Sequence, residues 1–317
     1  MTAPAPDSSA RLFIIFNLGS GHEDAAMVRR TLTQTLESAG RPYELHEIRE
    51  PGHLASTAAD CAAQALACGG ILVAAGGDGT VNSVAQAAVD AGCMFGVLPQ
   101  GTFNYFSRTH GIPTETAAAV NALLDGHIAP VQVGLVNDRV FLVNASLGLY
   151  PEILENRESY KRQFGRHRFV ALWSALATLL REHRQLRVRL EHDGTMRQVR
   201  TPMLFVGNNR LQLEQIGIQE APVLDEGQLA AVMPRAVGMF ALLWLVVRGA
   251  YGSLGEAQSV VTFCFRELTV KPALPYGTRR IKVATDGEIA WLTAPLVFKV
   301  APQPLRLLVP RVPLPAA

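Results

Sequence analysis

The chain has 317 residues, 49% hydrophobic and 18% charged, with a formal net charge of +2. That composition excludes a disordered chain and gives room for two globular domains. The small charge offers no bulk attraction for nucleic acid. Cys61, Cys68, Cys93 and Cys264 form no CxxC pair, which argues against structural zinc and a disulfide framework and fits a reducing cytoplasm.

Leu12–Phe16 reads as a buried strand running into Asn17-Leu18-Gly19-Ser20-Gly21, and no signal peptide is expected ahead of it. Residues 24–39 repeat apolar side chains at helical spacing and stop at Gly40, a residue suited to the position after a helix. Tyr43–Glu47 reads as a strand and Ser56–Cys68 as an alanine-rich helix. Ile71–Ala75 is a buried strand entering the turn 76–80, with a helix expected over Val81–Ala91. Met94–Leu98 repeats the unit, entering Pro99-Gln100-Gly101-Thr102 before another short helix. Strand, turn and helix at this spacing make βαβ units and a parallel sheet covered on both faces.

After about Gly126 short β-like runs follow one another, at 131–136, 139–147, 186–192, 203–209, 227–233, 260–265, 267–271, 279–285, 296–301 and 305–310. Helices interrupt them near Phe169–Glu182 and Val237–Tyr251. The expected fold class is α/β plus β. A three-layer α/β nucleotide-binding domain covers residues 1–130, and a β-rich, sandwich-like domain covers 131–317, whose last residues can pack back on the first. The longest apolar run, Ala236–Val247, falls short of the roughly 20 residues a span needs. It reads as a buried helix or one lining a lipid pocket.

Three turns lie at the carboxyl ends of predicted strands in the first domain, where open α/β sheets bind ligands. In Gly76-Gly77-Asp78-Gly79-Thr80-Val81-Asn82, the glycines admit a phosphate close to the backbone. The following helix offers N–H groups and the positive end of its dipole. Asp78 among phosphates calls for a divalent cation between the two, and Thr80 can bond a phosphate or cap the helix. Gly101-Thr102-Phe103-Asn104 and Gly19-Ser20-Gly21 repeat the logic. None is a Walker loop, since no Gly-Lys-Ser/Thr follows, and Asn82 and Asp24 occupy the place of the third glycine of a dinucleotide fingerprint. In the second domain Asp286-Gly287-Glu288 and the acidic turn Leu224–Leu229 stand out; by themselves both also read as ordinary turns.

Taken together these residues resemble the diacylglycerol kinase catalytic family, in its soluble bacterial branch. Asn17–Gly21 is similar to the family's N-P-x-S-G loop, Gly76–Asn82 matches G-G-D-G-T-x-N, and Leu98–Asn104 resembles P-x-G-T-x-N. Leu224–Leu229 resembles L-x-D-G-x-L, and Asp286–Glu288 the D-G-E turn. The G-G-D-G element also occurs in phosphofructokinases and NAD kinases; the late D-G-E turn selects lipid kinase. The resemblance implies transfer of the γ-phosphoryl group of ATP to a lipid hydroxyl, with Mg2+. Diacylglycerol, giving phosphatidic acid, is the first acceptor, and a sphingoid base, ceramide or another lipid alcohol the alternative. It implies ATP over the α/β domain and the lipid in a cleft between domains.

Carried over residue by residue, Asn17, Leu18, Gly19, Ser20, Gly21, Gly76, Gly77, Gly79, Thr80, Val81, Asn82, Ser83, Gly101 and Thr102 would hold ATP, with Arg49 near a nucleotide-contacting position. Asp78 would organise magnesium, and Glu288 would be the general base. Asp286, with the shorter reach, is better suited to fixing the turn. Val223, Glu226 and Gln228 align with an accessory metal site. The chain departs from the pattern at Leu18, which replaces proline, at Tyr105 and Gln132, where many members carry aspartate, and at Glu226. The two missing carboxylates leave a non-catalytic nucleotide or lipid sensor as a rival reading. Arg157–Arg200 holds eleven Arg/Lys against four acids, which suits either a solvated face or peripheral docking on anionic lipid at the inner face of the membrane. Its aromatics are too few and irregular for an RNA-stacking platform.

Overall fold

The computed structural model describes residues 10–19, 25–149, 151–152, 154, 185–192, 194–218, 224, 227–235, 241, 244–245, 248 and 251–311. The chain divides into two compact units, one holding residues up to 133 and from 301, the other residues 134–300.

In the first unit, β1 (Leu12–Asn17), β2 (Tyr43–Ile48), β3 (Ile71–Gly76), β4 (Met94–Pro99) and β5 (His127–Val131) share a sheet with β18 (Leu305–Val309) from the far end of the chain. The order is β2-β1-β3-β4-β18-β5. All neighbours are parallel except β5, which runs antiparallel to β18. The apolar runs of β1 and β3 are buried on both sides because helices cover both faces. On one face α1 (Ala25–Ser38) and α5 (Thr116–Asp125) press Val28, Leu32, Leu36, Val120 and Leu123 against Leu12, Ile14, Phe16 and Val73. On the other, α2 (Leu54–Cys68) and α3 (Asp78–Ala91) cover the alternate residues Phe13, Ile15, Leu72 and Ala74. A five-residue helix, α4 (Tyr105–Thr109), follows β4.

α3 starts at Asp78, three residues ahead of the expected Val81. Gly77 is extended (φ −78, ψ 178) and serves as N-cap, so the strand passes into the helix within one residue. The expected phosphate turn is therefore the first turn of a helix. Its backbone up to Thr80 presents N–H groups at the strand end, and the Val81 N–H closes the first helical bond on the Gly77 carbonyl at 3.0 Å.

In the second unit two antiparallel sheets face each other. One has the order β10-β9-β14-β17-β6-β7 and the other β13-β12-β11-β8-β15-β16. The strands are β6 (Gly134–Val136), β7 (Arg139–Phe141), β8 (Asn144–Gly148), β9 (Leu186–His192), β10 (Thr195–Thr201), β11 (Met203–Gly207), β12 (Leu229–Pro234), β13 (Val260–Phe265), β14 (Glu267–Pro272), β15 (Arg280–Thr285), β16 (Glu288–Thr293) and β17 (Leu296–Val300). Phe141, Leu190, Leu268 and Phe298 from the first sheet meet Leu147, Val206, Ala231 and Val283 from the second in one core.

The expected run 139–147 is two strands in different sheets, because the chain crosses at Leu142-Val143. Two strands of this unit were not expected: β10, with five exposed residues, and β16, with three. Both are edge strands, where a polar sequence is tolerated and even protective. The helix expected over Phe169–Glu182 lies outside the described residues, as does most of Ala236–Val247. Among the described residues no helix is long and apolar enough to cross a membrane.

Candidate functional site

At the carboxyl end of the first sheet, three chain segments are fastened by side-chain amides. Asn17, the last residue of β1, donates from Nδ2 to Thr80 Oγ1 at 2.8 Å, and its Oδ1 accepts the Gly19 N–H at 3.0 Å. One side chain thus sets the first loop against the first turn of α3. Having accepted from Asn17, the Thr80 hydroxyl keeps its own proton for another acceptor. A side chain at Gly76 would put its Cβ 2.7 Å from Thr80 Cβ, so the strand end requires glycine.

The loop after β4 is built on Asn104. Its Oδ1 accepts the Gly101 N–H at 3.0 Å, and its Nδ2 donates to the Gly101 carbonyl at 2.8 Å. Asn104 is held in the left-handed region (φ 48, ψ 37), which asparagine tolerates better than most residues. Its backbone N–H reaches Asp78 Oδ2 at 3.4 Å, and Gln100 N–H donates to the Gly76 carbonyl at 2.9 Å. A Cβ on Gly101 would lie 2.8 Å from Asn104 Oδ1, 3.2 Å from Gly77 Cα and 3.3 Å from Asp78 Oδ2. The two loops approach closely at Gly101, which is why that position does not tolerate a larger residue.

Asp78, Gly77 and Gly79 are half-buried at this junction. Burial pushes the Asp78 carboxyl above the usual carboxylate range, while N–H bonds from Asn104 and from its own backbone pull it back. A carboxylate held at that cost suits a bound cation. Of the other expected residues, Thr102 is exposed and Ser83 half-buried, whereas Thr80, Val81 and Asn82 are buried. Leu18 is tied to β2 through its N–H to the Ile48 carbonyl at 3.1 Å. Ser20 and Gly21 lie outside the described residues. Arg49 follows β2 and lines a cavity of about 430 Å3 with His46, Glu47, Glu50, His53 and Thr57.

Magnesium prefers one or two carboxylates, with phosphate and water completing its octahedron. Asp78 fits that role beside the N–H groups of the first turn of α3. Tyr105 and Gln132 supply no carboxylate, and among the described residues no group of three His, Cys, Asp or Glu is placed to hold a metal ion, so an all-protein cage is not present there. Val223 and Glu226 lie outside the described residues; Gln228 lines a cavity of about 450 Å3 in the second unit with Glu191, His192 and Arg266.

In the second unit, Asp286 turns the chain between β15 and β16 at φ 50. Its carboxylate accepts N–H bonds from Leu142 (2.7 Å), Val143 (2.8 Å) and Asn144 (2.9 Å). It clamps the sheet-to-sheet crossing of the chain, and its backbone N–H donates to the Asn144 carbonyl at 2.9 Å. Glu288, two residues on, is exposed at the first position of β16. The pair therefore splits into a committed anchor and an available carboxylate.

Sequence reading missed the polar cluster around this turn. Asn144 is buried and donates to Gln212 Oε1 at 3.0 Å; buried Thr285 accepts from Arg139 Nε at 2.9 Å. Their only signal was the alternation of Asn144 and Ser146 with Ala145 and Leu147 in a strand otherwise apolar.

The chain resembles several known proteins. The family described as the diacylglycerol kinase catalytic domain matches residues 11–136. A diacylglycerol kinase of Staphylococcus saprophyticus is 27% identical over 283 residues, covering 84% of this chain and 89% of the relative. One from Bacillus subtilis is 31% identical over 192 residues, covering 59% of this chain and 61% of the relative. A YegS-like lipid kinase of Cronobacter sakazakii is 32% identical over 147 residues, 44% of this chain and 46% of the relative. A solved diacylglycerol kinase structure from Bacillus anthracis shares the fold, with a TM-score of 0.68 at 18% identity over 96% of this chain and 98% of the other. The chain is thus a lipid kinase, and its residues 11–136 match the diacylglycerol kinase catalytic domain.

Proposed function

We propose that this lipid kinase transfers the γ-phosphoryl group of ATP to diacylglycerol, giving phosphatidic acid. The observation that carries the reading is the mutual fastening of the three strand-end segments by Asn17, Thr80, Asn104 and Asp78. Phosphoryl transfer asks a protein mainly for positioning and charge neutralisation, and these segments supply both. The first-turn N–H groups of α3 and the Thr80 hydroxyl bind phosphate oxygens. Asp78 holds magnesium, which neutralises charge on the phosphates when bound. Arg49 and the cavity beside it receive the nucleoside side of ATP.

Glu288 accepts the proton of the acceptor hydroxyl as its oxygen bonds to the γ-phosphorus and the bond from that phosphorus to ADP breaks. Asp286 takes no proton in this scheme, because three backbone N–H groups occupy its oxygens.

The test is product identification by mass spectrometry after incubation with ATP, Mg2+ and a panel of lipid alcohols. Phosphatidic acid from diacylglycerol is the expected result. A product formed only from a sphingoid base, ceramide or another alcohol moves the acceptor, a second reading favoured by the YegS-like relative. ATP binding without any phosphorylated lipid would favour a sensor.

A further inference from the structure

Strand β9 pairs on one side with β10 and on the other with β14. Val188 and Leu190 point into the core, so Arg187, Arg189 and Glu191 stand on the outward face. The register sets Arg200 of β10 directly opposite Arg187, and Lys271 of β14 directly opposite Arg189. Side chains so paired lie about 5 Å apart, and like charges there repel. Glu191 answers Lys271 at 2.8 Å. Arg187, Arg189 and Arg200 are exposed and pair with no carboxylate among the described residues. Met196, opposite Glu191 on the same face, is 56% exposed.

Charge on an edge strand guards against pairing with other sheets, which accounts for Arg200 on β10. It does not account for Arg187 and Arg189, whose strand is already paired on both sides. Arginines unneutralised on one sheet face, two of them directly opposed, match a surface of negative charge, and guanidinium is the side chain suited to bidentate contact with phosphate. The outward positions of β9, β10 and β14 carry no aromatic residue on which a base could stack, so the face is poorly suited to single-stranded nucleic acid.

We propose that this face docks on an anionic lipid bilayer, with Arg187, Arg189 and Arg200 at the headgroup phosphates and Met196 entering the interface. The inference rests on the lipid kinase reading only in that the acceptor lies in a bilayer. The probe is cosedimentation of the full chain with phosphatidylcholine vesicles, with and without phosphatidylglycerol. Binding should require phosphatidylglycerol and weaken with salt, since exposed charges are screened over roughly 8–10 Å.

Each basic residue contributes roughly fivefold at an anionic surface, so R187Q/R189Q/R200Q should bind on the order of 100-fold more weakly, and R187Q alone about fivefold. Relief of the opposed charges should leave the melting temperature unchanged or raised. Turnover on a short-chain acceptor dispersed as monomers should not change. Equal vesicle binding by parent and triple variant overturns the proposal. So does a parent that ignores anionic vesicles yet binds duplex RNA through the same arginines. Vesicle binding without turnover on any acceptor would sink the kinase reading and leave the docking face standing; turnover without vesicle binding would do the reverse.

Discussion

Replacing Asp286 and Glu288 one at a time should separate structure from chemistry within three residues. Asp286→Ala removes the acceptor of three backbone N–H bonds of 2.7–2.9 Å at the crossing between sheets. Each donor left unsatisfied costs about 1–3 kcal/mol. Water can reach a half-buried turn, so a total of about 3–5 kcal/mol is expected. For a unit the size of residues 134–300, each kcal/mol moves the melting temperature by roughly 2–4 °C, giving a fall of about 6–20 °C.

Asp286→Asn keeps one oxygen but turns an NH2 toward a backbone donor, so it should fall between Ala and the parent. Glu288→Gln alters an exposed residue and should leave stability within about 0.5 kcal/mol. It should lower turnover by roughly 10²–10⁴-fold while sparing ATP affinity, as expected of a lost general base. Thermal melts by circular dichroism, read beside turnover on a short-chain acceptor, give both quantities. An Asp286→Ala protein melting within about 2 °C of the parent would refute the anchor role on the scale just worked. A Glu288→Gln protein retaining most of its turnover would refute the base.

Asp78→Asn should abolish turnover yet raise the melting temperature at neutral pH. The native carboxyl titrates above its unfolded range, so native stability is lost as pH rises through that window, and the amide escapes the loss. Asn17→Ala removes the bond to Thr80 and the Gly19 contact, about 1 kcal/mol each, and should weaken ATP by roughly 5–30-fold in calorimetry without a matching loss of fold. Burial pushes the His110 imidazole, packed edge-on against Phe106, down to about 4. Unfolded histidine binds its proton near pH 6.5, so stability should fall as pH drops from about 6.5 to about 4. His110→Leu should flatten that limb in pH-resolved melts.

The α/β half was legible because its strands are continuous apolar runs and its helices end at glycines such as Gly69 and Gly92, both left-handed. Motif density likewise singled out 76–82 as the candidate phosphate loop. The extent of the loop was not legible, since Gly77 extends and lets Asp78 begin the helix at once. In the β-rich half, β10 and β16 were hidden because edge strands carry polar sequence. The Asp286 clamp could be guessed from its short side chain, but its three partners come from about 143 residues earlier in the chain, beyond the reach of local pattern. Separations of 68 residues for Asn144 to Gln212 and 146 for Arg139 to Thr285 hid that cluster in the same way. Thr80, Val81 and Asn82 all belong to the motif, and all three are buried in α3, which the motif alone does not reveal.

The most direct test of the account follows the label from [γ-32P]ATP in a single turnover with diacylglycerol and Mg2+. Label should appear in chloroform-extractable phosphatidic acid with the parent chain, and should remain in ATP with Asp78→Asn and Glu288→Gln, both folded. Label released only as inorganic phosphate, or transferred to lipid equally well by both variants, would contradict it.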